Sequence, residues 1–131
     1  MAKTKNNLGR IFIYSIIIAS LSTFFDFMYH KIVFEMIQGQ PHSPSPYWIT
    51  KFIVGLIIPF IFLMLFRKLN IWIKSITIGI VSALVFAGVL MAYYSGIYGA
   101  SSNYGFLMHF AHSIAFGIAT YLTLKIGGKY G

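Results

Sequence analysis

The sequence predicts an all-α fold, an integral membrane four-helix bundle with both termini in the cytoplasm (N-in/C-in), short loops and a proline-rich first extracytoplasmic loop. Three observations carry this. The 131 residues are 58% hydrophobic and 9% charged, with a mean hydropathy of +0.78, whereas about a quarter of the residues in a soluble domain are charged. Ten basic and two acidic side chains cannot clothe a water-facing surface of this length. Four apolar runs, at about 11–30, 49–66, 75–95 and 106–124, each approach the roughly 20 residues that a bilayer crossing requires. Finally, the basic residues fall between these runs with a strong bias to one side.

The chain reads as a single transmembrane domain, residues 1–131, without an internal repeat or an interdomain linker. Residues 1–7 form a polar start carrying Lys3 and Lys5. Together with Arg10 and the apolar run that follows, they have the outline of a secretory signal, but the run exceeds an h-region and contains Asp26, so it reads as a retained first span. A helix-compatible pattern continues from Tyr29 to Gln38, where Gly39 and Pro41 signal a stop. Pro41, Pro44 and Pro46 then predict an extended loop, and Tyr47 and Trp48 serve as interfacial anchors. Span two has Lys51 near its start and Pro59 in its interior, where a kink or a freed carbonyl is expected. The short link 69–74 makes spans two and three an antiparallel pair. Residues 95–104 read as an uncharged Gly/Ser/Tyr/Asn loop, and 125–131 as a basic tail.

Lys3, Lys5, Arg10, Arg67, Lys68, Lys74, Lys125 and Lys129 lie on one side of the expected bilayer, and Lys31 and Lys51 on the other. The positive-inside rule then places both termini in the cytoplasm of a multi-pass protein of the cell (plasma or inner) membrane. Topology thus accounts for the net charge of +8, and nucleic acid loses its support as a partner. The absence of cysteine excludes a disulfide scaffold, thiolate metal sites and thiol redox chemistry. No serine–histidine–acid order and no phosphate-cradling loop is present.

Both acids and all four histidines, Asp26, His30, Glu35, His42, His109 and His112, collect on the outer side. At about 1.5 Å per residue across roughly 30 Å of hydrocarbon, Asp26 and His112 lie at a shared depth about 8–9 Å below the outer edge. Ser15, Ala19, Ser22, Asp26 and His30 form one stripe along span one, and His109 and His112 share a face of span four. Gly79, Ala83 and Ala87, then Gly88, Ala92 and Gly96, and Ala111, Ala115 and Ala119 form small-residue ridges suited to close helix packing.

An ionisable group within a span marks a functional site by default. One use of Asp26 is a structural clamp bonded to His30, His112 or the hydroxyls of Ser22 and Tyr93. Another is a metal site, because a carboxylate with imidazoles suits copper or another transition metal, with Asp26, His30, His109 and His112 as the ligand set. A proton or substrate path is the third, and haem ligation by paired histidines is the less favoured cofactor reading. The arrangement Asp26-x3-His30 followed at a distance by His42 resembles the copper-site helix in the C-type subunit of membrane-bound methane and ammonia monooxygenases, which implies copper as a metal and Asp26 and His30 as ligands. The expectation is a small polytopic membrane protein that acts as an accessory or structural subunit of a larger, redox or metal-dependent membrane complex. Its partners would be lipids and other membrane subunits or further copies of itself. The alternative is a stand-alone metal- or haem-binding membrane protein with redox or transport activity.

Overall fold

The computed structural model describes the backbone of residues 2–37, 45–98 and 102–130, and the side chains of 8–32, 36, 48–89 and 112–127. Helix α1 spans Ala2–Tyr29 and runs on into a π-helical segment, His30–Ile37. Helices α2 (Ser45–Leu65), α3 (Ile71–Tyr98) and α4 (Ser102–Tyr130) complete an all-helical chain. Each expected span falls on one helix that begins before it, although residue 30 already belongs to the π-helical segment and residue 66 lies just past the end of α2.

The differences have local causes. The polar start and the basic tail join α1 and α4, because a helix satisfies its own backbone and does not need an apolar sequence to continue. The expected 95–104 loop is shorter, since α3 continues through Tyr98 and α4 begins at Ser102. A glycine such as Gly96 costs a helix only about 1 kcal/mol. Pro46, expected in the loop, falls in the first turn of α2, where its missing N–H would have had no helical partner in any case. The remaining proline-loop positions, including His42, lie outside the described residues.

The helices form a ring in which α1 packs on α2 and α4, and α3 packs on the same two. The turn between α2 and α3 is closed by its own polar groups. Asn70 Oδ1 accepts from the Trp72 amide at 2.9 Å, an N-cap for α3. Arg67 Nε donates to the Met64 carbonyl, and Lys74 Nζ to the Arg67 carbonyl at 2.8 Å. These donors satisfy carbonyls left over at the end of α2.

Polarity is distributed inside-out. Phe12, Ile13, Ile17, Phe24, Trp72 and Leu84 face outward. Ser15, Ser22, Asp26, His30, Lys51, Ser75, Ser82, His112, Thr120 and Thr123 are buried among Ile18, Ile78, Phe86 and Phe116. Among the described residues three helices, over Leu8–Ile32, Trp48–Leu65 and Ile71–Val89, are long and apolar enough to cross a membrane.

Close approach depends on particular small residues. A Cβ on Gly79 would meet the Ser113 carbonyl at 2.6 Å and the Gly117 backbone at 3.1 Å, so α3 and α4 touch there backbone to backbone. Ala83, Ala87, Ala115 and Ala119 are buried as their ridges require. Gly88 has open space around it, so the second ridge of α3 starts on an outward face. Gly79→Ala is therefore expected to force the two helices apart and destabilise the bundle by about 1–3 kcal/mol, whereas Gly88→Ala leaves stability unchanged or slightly raised. Thermal unfolding of the two variants in detergent compares them; equal melting temperatures would refute this packing.

Candidate functional site: a buried acid, base and imidazole on three helices

The polar stripe of α1 turns into the ring, so Asp26 is 1% exposed. Each carboxylate oxygen has its own neighbours. Oδ1 lies 3.3 Å from His112 Nδ1 on α4. Oδ2 lies 3.5 Å from Lys51 Nζ on α2 and 3.7 Å from His30 Nε2 one turn along α1. The shortest contact excludes the acid altogether, because Lys51 Nζ and His112 Nδ1 are 2.6 Å apart.

The surroundings are aromatic. Lys51 is wholly buried, with its ammonium 4.4 Å from the Phe116 ring centre and 5.3 Å from that of Phe86, close enough for cation–π attraction. Phe86 meets the His112 imidazole edge to face at 4.7 Å. The imidazoles of His30 and His112 lie 6.4 Å apart and nearly parallel. Trp48, expected as an interfacial anchor, packs its ring 5.3 Å from that of His30 and 5.5 Å from that of Phe27, closing the end of the cluster. His30 is also the residue at which α1 changes to π winding. Such changes are uncommon and recur at functional sites.

His112 Nδ1 is shared between two partners of opposite need. A neutral imidazole with Nδ1 unprotonated accepts from the Lys51 ammonium, and a protonated Nδ1 donates to Asp26. The nitrogen holds one proton or none, so the cluster has two arrangements of the same net charge. In the first, the positive charge sits on Nζ, 3.5 Å from Oδ2; in the second, it sits on the imidazole, 3.3 Å from Oδ1. One carboxylate compensates both.

Of the expected ligand set, Asp26, His30 and His112 are brought together. The side chains of His109 and Glu35, and Tyr93 as a partner for Asp26, lie outside the described residues. Ser22 does not serve the carboxylate as a clamp, because its hydroxyl donates to the Ala19 carbonyl at 3.1 Å. Among the described residues no group of three His, Cys, Asp or Glu is arranged to hold a metal ion. The Lys51 ammonium lies against both the imidazole, at 2.6 Å, and the carboxylate, at 3.5 Å, and metal and copper binding find no support there.

Lys51 is the participant that the spacing argument missed. It was counted with Lys31 as an outer-side charge near the membrane surface, yet α2 begins at Ser45 and carries it into the ring. The signal was present in the sequence: one acid inside a span calls for one base inside a span, and Lys51 is the basic residue that follows an interfacial tryptophan into span two.

Comparison with known proteins finds no matching family model, no matching curated protein and no matching solved structure. The likeness to a copper-site helix therefore stands on Asp26, His30 and His42 alone, the last of which lies outside the described residues.

Proposed function

We propose that this chain is a four-span protein of the cell membrane, with both termini cytoplasmic, whose Asp26–Lys51–His112 cluster exchanges protons as part of a larger membrane assembly. The observation that carries the reading is the 2.6 Å separation of Lys51 Nζ and His112 Nδ1 beside a carboxylate placed to compensate either one. A clamp that only joined helices would need one acid and one base. The third titratable group adds a route for a proton that leaves the buried charge unchanged, and chains of acids and histidines inside membranes are the usual material of proton relays. Copper, another metal or haem is not part of this reading, because a positively charged side chain already lies against the carboxylate and the imidazole.

Support for the membrane topology comes from the three long apolar helices, the outward-facing Phe, Ile and Leu side chains and the eight-to-two division of basic residues. The cluster then lies toward the extracytoplasmic side. The subunit role rests on the single compact site and on aromatic side chains such as Phe12, Phe24 and Trp72 exposed for contact with neighbouring proteins or lipid.

Two experiments address these statements separately. Reporter fusions at either terminus are expected to read cytoplasmic; an extracytoplasmic terminus would overturn the orientation. Infrared difference spectra of the protein in lipid, recorded over a full acid-to-base titration, are expected to show an imidazole band that disappears in His112→Ala and shifts in Asp26→Asn and Lys51→Met. A titration unaffected by all three substitutions would contradict proton exchange at this cluster.

A further inference from the structure

Beside the cluster, the seam between α1 and α4 holds a cavity of about 280 Å³ lined by Phe25, Asp26, Tyr29, Ile114, Ala115 and Ile118. It opens to the outer surface of the bundle, since Ile114 and Ile118 are 45% and 47% exposed and Phe25 and Tyr29 are half-buried. Asp26 is the member of the cluster that reaches it; Lys51 and His112 contact the carboxylate from α2 and α4 without lining the cavity. In a membrane such a mouth faces lipid rather than water. A second cavity of about 330 Å³ in the α3–α4 seam, walled by residues such as Trp72, Ile80 and Tyr121, has no charged residue in its lining. The carboxylate is thus a property of the α1–α4 seam and not of helix seams in general.

The lining selects a class of ligand. Ile114, Ala115 and Ile118 offer hydrocarbon and no side-chain hydrogen bond. Phe25 and Tyr29 are four residues apart, on one side of α1 with Asp26 between them in sequence. Aromatic rings beside a carboxylate are the materials that recognise ammonium groups. An anion entering the cavity meets a charge of its own sign, and an uncharged molecule gains nothing from the carboxylate's charge.

Charge balance adds a condition. Asp26 compensates one positive charge, held by Lys51 or His112. A second cation would leave the interior with an excess charge, which is costly, unless the proton departs. Lys51 and His112 can both be neutral and remain hydrogen-bonded across their 2.6 Å separation. The charged and titratable groups around the carboxylate are Lys51 from α2, His112 from α4, and His30 and Tyr29 from α1. Among the described residues α3 brings the Phe86 ring to Lys51 and His112.

We propose that the α1–α4 cavity binds lipophilic ammonium ions against Asp26, each in exchange for the proton held by the Lys51–His112 pair. The inference rests on proton exchange at the cluster and names what the exchange serves. One N–H bond of the pair breaks, its electrons stay on nitrogen, and the proton passes to water; the ligand enters and leaves intact. No redox partner is involved, and the buried charge is the same before and after. Because binding releases a proton, the affinity rises with pH as long as the free cluster holds that proton.

The test uses the full-length protein in maltoside micelles with decyltrimethylammonium, a cation whose charge does not depend on pH, and decanol as its uncharged counterpart. Calorimetric titration reads binding, and a pH-sensitive dye in weakly buffered solution reads proton release. Saturable cation binding beyond partition into empty micelles is expected, with about one proton released per cation and an affinity that rises with pH. Decanol is expected to bind more weakly and to release none. Tyr29→Leu is expected to weaken cation binding about fivefold or more, whereas Tyr29→Phe retains it. Asp26→Asn is expected to weaken it about tenfold or more and to abolish proton release. Absence of saturable binding, decanol binding as tightly as the cation, or cation binding without proton release would overturn the inference. Infrared titration of the same samples separates the two levels: a cluster that titrates in a protein that binds no cation removes this inference and leaves proton exchange standing, whereas a cluster that does not titrate removes both.

Discussion

A charge taken out of water must be met by another charge or by hydrogen bonds, and the Asp26–Lys51 pair is where this chain meets that requirement. Removing water from an acid and a base is costly, and their attraction offsets the cost only when geometry and further hydrogen bonds are good. Here the acid comes from α1, the base from α2 and the imidazole that touches both from α4. The three helices are thereby tied at one level, and α3 contributes Phe86 against the imidazole. Four helices with apolar outer faces have little hydrophobic reason to choose one partner or register over another. A buried group that can be satisfied in one arrangement supplies that choice.

Small residues allow the arrangement to close. Gly55 lets α2 approach Ala19 and Ser22 of α1 and the Phe116 ring of α4 within van der Waals distance. Gly79 does the same for α3 and α4 against Ser113 and Gly117. Polar side chains that are not part of the cluster are satisfied within their own helices, as with Ser15 to the Ile11 carbonyl and Thr120 to the Phe116 carbonyl. Ser82 and Thr23 depart from this pattern, with buried hydroxyls that have no partner among the described residues. Buried polar groups are otherwise paired as a rule.

Much of the architecture was legible before any coordinates. The four apolar runs each became a helix, spans two and three became neighbours across a short turn, and α1 and α4 came together so that Asp26 met His112. Helix ends were less legible, since hydropathy marks where a helix is apolar and a helix continues through polar residues that keep its backbone bonded. The role of Lys51 was obscured by the counting of basic residues per side, which treats a lysine near a span boundary as a surface charge. Acids and imidazoles at matched depth suggest a metal site, whereas the structure adds the Lys51 ammonium beside them. Residue spacing indicates which groups share a face, but not which one fills the space between them.

The central claim is that Asp26 and Lys51 stabilise each other in the interior. A thermodynamic cycle of Asp26→Leu, Lys51→Met and the double variant, read by reversible unfolding in detergent, tests it most directly. Each single substitution is expected to destabilise by about 3–5 kcal/mol, because it leaves an uncompensated buried charge. The double variant is expected to recover most of that loss, with a coupling well beyond about 1 kcal/mol. Two single variants as stable as the parent chain, or effects that add in the double variant, would show that the acid and the base do not depend on each other and would contradict the claim.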